Sequence, residues 1–562
     1  MAKSNFLLIW IKLILVSLFI YGCGQSSQPS INSISLIQNP NPTVPLAAIL
    51  NVSSSEPTTL SINIDDGEKS WSVNPNNIMQ SDHEVPVLGM RSDRMHTITA
   101  SLTNADGNSI TSEELFFETP PLPEAYPTPI INAYVEGEIE PGVTLFNING
   151  RWNNDYPIVS TPANFSPAVI VDDMGEIIWY YLPEDHRVHD IRPWGNEGNL
   201  VYEIWAPSAW AGKVEIDMLG NIKRRWHFTG TAGNIAEGSI PVETDSYHHD
   251  YSELPNGNIL LMSTENRVIE NWYTSETDPN APRAAQNVIG DIIIEMTLEG
   301  EVIREWKIHD ILDVNRIGYN SLRKNYWANH YQYADYVDTE AYGQVNDWSH
   351  GNAIIYEPKD HSFIMSVPYQ DAVIKVDMDT GELVWILGNH DNWVEPWSDK
   401  LLTPVGDVGW SYKHHAISHT EKGTFLLFDN GVGRASPFDE RMALEESYSR
   451  AVEYAVDEEN MEVRQVWEYG PGDEVFYGRY LGDVDWLPQM DNVLINVGAR
   501  ETNSEGVNQS PGAEGTQRWA SLIEVTNESP AKKVWEMRLK QNDSNWSIYR
   551  SERLSSIYHW VD

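Results

Sequence analysis

Beyond about residue 130 the chain alternates short apolar runs with polar turns, and the runs recur in two kinds. One kind is a strand, an acidic or glycine-containing turn, then a strand ending in tryptophan. It reads "AVIVDDMGEIIWYY" with Trp179, "KVEIDMLGNIKRRWHF" with Trp226 and "IIIEMTLEGEVIREWKI" with Trp306. It returns as "VIKVDMDTGELVWIL" with Trp385, "AVEYAVDEENMEVRQVWEY" with Trp467 and "LIEVTNESPAKKVWEMRL" with Trp535. The other kind precedes most of these: a polar residue, a few apolar ones, a Pro-Asn-Gly-like turn and an apolar strand, clearest in "HHDYSELPNGNILLM". Period-two alternation bounded by turn residues marks strands. Two hairpins per repeat give four strands, the content of one propeller blade. Six repeats predict an all-β fold with a six-bladed β-propeller over residues 131–562, its tryptophans packed between blades.

Residues 24–120 show shorter alternating runs, with an Asp66-Gly67 hairpin signal in "TTLSINIDDGEKSWSV", and predict a small N-terminal β-sandwich. The proline-rich stretch 121–130 cannot join a ladder and is stiff, so it is read as the linker between the two domains. At the other end, Lys3 and Lys12 precede an apolar run from Leu13 to Tyr21, too short to span a bilayer, followed by Gly22-Cys23 and a polar stretch. Residues 1–23 therefore read as a lipoprotein signal peptide with Cys23 as the lipidated residue. The expected location is exported: the periplasmic side of a bacterial, outer rather than inner, membrane, held only by that lipid.

Composition narrows the partners. Of 562 residues, 41% are hydrophobic, enough for a real core, while 82 acidic against 37 basic residues leave a formal charge of −45. Such a surface repels phosphate backbones and speaks against nucleic acid as a partner. The single cysteine excludes an internal disulfide and any cysteine-based zinc site. Oligomeric state is not legible, since no coiled-coil pattern appears.

The second unit places a polar residue where an inner strand enters the channel. His249 lies eight residues before Gly257, and His415 eight before Gly423; in "DWSHGNAIIYEPKD", Asn352 falls at the matching position and His350 two residues earlier. Three blades thus aim imidazoles at one axis, which is how a site is built on a rigid scaffold. Metal binding is the rival reading, because three histidines also suit zinc or copper. Side-chain alternation allows only one histidine of each pair, His248-His249 and His414-His415, to point inward, and the offset to the turn glycine selects the second. Aromatic-rich insertions, "VNRIGYNSLRKNYWANHYQYADYVDTEAYGQVNDW" and "NHDNWVEPWSDKLLTPVGDVGWSYK", leave on the same side and suit the wall of an aryl-binding mouth.

The stretches "YHHDYSELPNGN", "DWSHGNAIIYEPKD", "QDAVIKVDMDTGELVWILGNHDNW", "HHAISHTEKGTFLLFDNGVGR" and "YRSERLSSIY", taken in order, resemble the bacterial arylsulfate sulfotransferases over nearly the whole mature chain. The resemblance implies transfer of a sulfuryl group from an aryl sulfate to a phenolic acceptor, by a ping-pong route through a sulfohistidine and with neither nucleotide donor nor cofactor. It carries the nucleophile to His415 and supporting catalytic roles to His350, His249 and Asn352, with His248 as a substrate-binding candidate. Two departures stand out. Pro368 occupies the place of an arginine that grips the sulfonate, leaving Arg434 in "FDNGVGR" as the nearest substrate-binding replacement, and the disulfide some members carry cannot form. Three alternatives stay open: a sulfated-ligand binding protein, a sulfate-ester hydrolase on the same fold, and a quinoprotein dehydrogenase suggested by "VDMDTGELVW". Six repeats rather than eight and the absence of vicinal cysteines count against the last.

Overall fold

A computed structural model of the chain describes residues 28–150, 165–184, 186–206, 209–231, 236–324, 326–327, 336–472, 474–540 and 545–560. Cys23 and the segment read as a signal peptide lie outside the described residues. The N-terminal sandwich is organised by one 18-residue strand, Ala48–Asp65, that serves both layers. Its first half pairs with Ile31–Gln38 and Gln80–Val87, its second half with Ser70–Val73 and Met95–Asn104. Alternate residues Leu50, Leu60, Ile62 and Ile64 meet Val85, Ile98 and Leu102 in its core, as the period-two pattern requires.

The remainder is an all-β propeller of six blades. Blade II is Arg187–Trp194, Asn199–Ala206, Ala209–Ile216 and Ile222–Phe228; blade III is His248–Glu253, Ile259–Trp272, Ala284–Met296 and Val302–Lys307. Blade IV is Ala353–Glu357, Ser362–Val367, Ala372–Asp377 and Leu383–Gly388; blade V is His415–His419, Phe425–Asp429, Arg450–Asp457 and Glu462–Tyr469. Blade VI is Asp483–Leu487, Asn492–Thr502, Gln517–Thr526 and Lys533–Leu539, with Ile130–Tyr134 added outside. Blade I takes its inner strand, Ser551–Leu554, from the far end of the chain and pairs it with Val143–Asn147, followed by Ala168–Val171 and Ile177–Tyr181. The two chain ends therefore interlock at the seam between blades VI and I.

The repeated tryptophans are the joints between blades. Trp179, Trp226, Trp467 and Trp535 donate their indole N–H to Met218, Leu298, Glu528 and Asp173 carbonyls at 2.8–3.1 Å. Trp385 donates to the Glu458 carboxylate at 3.0 Å, and Trp306 packs beside Gly381. Each partner lies in the turn between the third and fourth strands of the next blade. Trp535 is wholly buried and closes the ring onto blade I. Trp535→Ala would open a cavity and orphan the Asp173 carbonyl, so chemical denaturation should read a loss of about 3–5 kcal/mol. A loss below about 1 kcal/mol would remove the joint role.

Candidate active site

The inner strands do not start as regular strands. Ladder pairing jumps from His189 to Arg192 in blade II, from His248 to Tyr251 in blade III and from His415 to Ser418 in blade V. Within these bulges Asp190, His249 and Ala416 take φ of 44°, 58° and 50°, and His350 takes 55° just before the inner strand of blade IV. Left-handed backbone at a non-glycine residue costs on the order of 1–3 kcal/mol and persists only where the surrounding fold over-determines it. A bulge re-aims side chains. Simple alternation therefore does not decide which histidine of each pair turns inward. His249 sits in its bulge, whereas His415 is the last paired residue before one.

His249, His350 and His415 line one cavity of about 370 Å³ at the channel mouth, together with Pro368, Tyr369 and Lys413. The His249 and His350 ring centroids are 5.0 Å apart. His350 is stacked on Tyr369 at 4.4 Å and nearly parallel, and its other neighbour is the edge-on ring of Tyr326 at 4.6 Å. These rings fix its rotamer.

Each imidazole has its Nδ1 committed to a different partner. His415 Nδ1 is 2.7 Å from Asn430 Oδ1. The Asn430 amide N–H groups donate to the Gly478 and Leu481 carbonyls at 2.7 and 2.8 Å, so the oxygen must be the atom facing the imidazole. His415 Nδ1 therefore carries the proton and Nε2 the lone pair. Burial pushes the His415 imidazole down to about 3, only partly opposed by the Asn430 bond, and keeps it neutral near pH 7. His350 Nδ1 instead donates to the Asp347 carboxylate at 2.8 Å, whose other oxygen accepts the Trp327 indole N–H at 2.7 Å. His249 Nδ1 meets His248 Nδ1 at 2.9 Å, and His248 Nε2 faces the Ser263 carbonyl at 3.2 Å and Asp291 at 3.3 Å. With His248 donating from Nε2, His249 donates from Nδ1 and holds its lone pair on Nε2. Burial, reinforced by the neighbouring imidazoles, holds His249 well below the usual imidazole range.

The other residues singled out in the sequence fall around this centre. His248 is behind His249 rather than on the cavity wall. Asn352 lies a layer below, where its amide donates to the His414 carbonyl at 3.0 Å and so braces the peptide that carries His415. Arg434 is turned away: Asp429 at 3.0 Å and the Tyr448 carbonyl at 3.1 Å hold its guanidinium. Pro368 does face the cavity, and the nearby cations are Lys413, Arg323 and Arg479. Lys413 Nζ is 2.7 Å from Asp371 Oδ1, and Arg323 donates to the Tyr369 hydroxyl at 3.1 Å. Among the described residues no group of three or more His, Cys, Asp or Glu is arranged to hold a metal ion. The first aromatic insertion supplies Asn320, Arg323 and Tyr326 to the wall, and the second supplies Lys413. Asn430 and Asp347 were not singled out, although both stand inside the motifs "FDNGVGR" and "NDWSHGN".

A rigid propeller whose mouth joins three oriented imidazoles to lysine and arginine is a scaffold for nucleophilic and acid–base chemistry on an anion. The chain belongs to the arylsulfotransferase family: the model described as Arylsulfotransferase (ASST) matches residues 134–550, and that described as Arylsulfotransferase Ig-like domain matches residues 35–120. The chain is similar to arylsulfate sulfotransferase AssT of Escherichia coli O6:H1, 29% identical over 55% of this chain and 54% of that protein, so the match spans about half the relative's length. It is also similar to arylsulfate sulfotransferase AssT of Lelliottia amnigena, 24% identical over 79% of this chain and 81% of that one. A solved hydrazine synthase of Kuenenia stuttgartiensis aligns with a TM-score of 0.32 at 9% identity, over 73% of this chain and 46% of that one, and has no bearing on function.

Proposed function

We propose that the protein moves a sulfuryl group from an aryl sulfate to a phenol in two displacements, with His415 Nε2 as the nucleophile. The observation that carries this reading is the fixed tautomer of a neutral His415, whose lone pair is presented to the cavity. In the first displacement that lone pair attacks sulfur, the N–S bond forms, the S–O(aryl) bond breaks, and the departing phenolate takes a proton from His350 Nε2. That proton is the one His350 carries on Nε2 while Asp347 holds its Nδ1–H. In the second displacement His350 takes the proton of the incoming phenol, whose oxygen attacks sulfur, and the N–S electron pair returns to Nε2. His249 Nε2, an acceptor by its tautomer, suits the phenol O–H. Lys413 and Arg323 stand where Pro368 removes the family's arginine, and they supply positive charge for the sulfonate oxygens.

The test is phenolate release from a chromogenic aryl sulfate, with and without a phenol, alongside mass spectrometry of the peptide containing His415. Acceptor-dependent release with a sulfo adduct on that peptide is the expected result. Release that ignores the acceptor would mean hydrolysis, and no release from folded protein would sink the reading. A pH prediction accompanies it. Protonation of His415 removes the attacking lone pair, so its activity is lost only as pH falls through about 3. With a nitrophenyl donor, whose leaving group needs no proton, the single-turnover sulfation rate should stay level from about pH 8 to about pH 5. A fall centred near the ordinary imidazole value would contradict the burial argument.

A further inference from the structure

The walls of the site invert the charge of the molecule. The chain carries 82 acidic residues, yet neither the histidine cavity nor an annexe of about 200 Å³ beside it has an aspartate or glutamate in its lining. The two spaces share Asn320, Lys413, Val432 and Arg479, and the annexe adds Arg441. Lys413 is answered by Asp371 and Arg323 by the Tyr369 hydroxyl, both next to the imidazoles. The outer pair is different. Arg479 makes no hydrogen bond or ion pair among the described residues, although it lies on the wall common to both spaces. Arg441 lies flat over Tyr319, its guanidinium carbon 3.5 Å from the ring centroid, and approaches Glu276 only to 3.4 Å. Glu276 is already engaged at its other oxygen by the Leu322 N–H at 2.8 Å. A stacked guanidinium keeps its in-plane donors available for a carboxylate or sulfate.

One sulfonate at the imidazoles gives Lys413 and Arg323 their ligand and leaves Arg441 and Arg479 without one. We propose that the aryl substrates carry a second anionic group, a carboxylate or sulfate on a short tether, which Arg479 and Arg441 hold in the annexe. This rests on the sulfotransfer reading and names its substrate class: phenols that are anions in their own right. In a double displacement the leaving and incoming phenols use the same aryl space, so the preference applies to donor and acceptor alike. On so acidic a surface, Arg479, without an ion pair among the described residues, and Arg441, held by Glu276 only at 3.4 Å, also draw anionic substrates toward the mouth.

The experiment compares acceptors of equal shape and different charge on the whole protein: para-hydroxyphenylpropionate against its amide, and likewise para-hydroxyphenylacetate and para-hydroxybenzoate, all with one aryl sulfate donor. The expected result is a kcat/KM ratio of acid to amide of about tenfold or more for at least one tether, shrinking as salt is added. In an Arg441→Gln, Arg479→Gln double variant the ratio should fall toward one. Calorimetric binding of each acid and its amide to the unmodified protein reads the same preference without turnover. Ratios near one for all three tethers, in turnover and in binding, overturn the inference, as does a preference that survives the double variant. Transfer to neither acid nor amide in any variant brings down the sulfotransfer reading itself; transfer to both at equal rates brings down only the anionic substrate class.

Discussion

His415→Ala is expected to lower turnover of an aryl sulfate by about 10⁴-fold or more and to abolish the sulfo adduct. The size follows from the route. Without the imidazole there is no covalent intermediate, and direct attack by a phenol would need both aryl groups and the sulfonate in a cavity of about 370 Å³ at once. The change is local, because the backbone of residue 415 stays in the ladder opposite Phe428 and the Asn352 amide still holds the His414 carbonyl. It leaves the Asn430 oxygen facing a hole, at about 1–3 kcal/mol, too little to unfold a ring closed by six blade joints. Loss of activity with a thermal transition lowered by no more than a few degrees is therefore the expected pair of results. Added imidazole fits the vacated space, retains a donor for Asn430, and should restore a small part of the release rate. Retention of activity within tenfold, or an adduct on another side chain, would move the nucleophile elsewhere, His249 first.

The architecture was readable because its signals are local. A turn residue, a strand and a terminal tryptophan recur six times, and each lies within one hairpin. Closure was not: Ser551–Leu554 enters blade I and Ile130–Tyr134 joins blade VI through pairings between opposite ends of the chain, which no period announces. The meeting of the histidines was readable to the same depth. Repetition of the strand-start position pointed to His249, to His415 and, in blade IV, to Asn352 with His350 two residues before it; the three histidines line the cavity, whereas Asn352 does not. The second histidine of each pair, His249 and His415, does line the cavity, but bulges beside these residues rather than simple alternation set their direction, and a bulge leaves no mark in hydropathy. Electrostatic partners were harder still. Arg434 looked free in the sequence, but Asp429, five residues before it, already holds it. Asn430 matters through Gly478 and Leu481, which come from a loop of the next blade and determine which way its amide points. The two inner-cavity cations, Lys413 and Arg323, arrive from separate insertions, so only the folded chain shows that charge is still available where Pro368 stands.

Asp347→Asn should separate the two halves of the reaction. In the native site one Asp347 oxygen accepts from Trp327 and the other from His350 Nδ1. Asparagine keeps its single oxygen for the Trp327 N–H, since an indole cannot accept, and so turns its NH₂ toward His350. The imidazole must then accept at Nδ1 and carry its proton on Nε2, the reverse of what a base for the incoming phenol requires. Transfer to phenol is expected to drop by about 10²–10⁴-fold, the range of general acid–base catalysis. Sulfation of His415 by a nitrophenyl donor should change much less, because that leaving group departs without a proton. The variant should therefore show a burst of nitrophenolate close to one equivalent followed by slow turnover, and accumulate the sulfo adduct. Donors with more basic phenols should lose the burst progressively. A variant that slows all donors equally would place Asp347 in structure alone and leave His350 without its acid–base role, whereas a burst that survives with a basic phenol would transfer that role to His249 through His248 and Asp291.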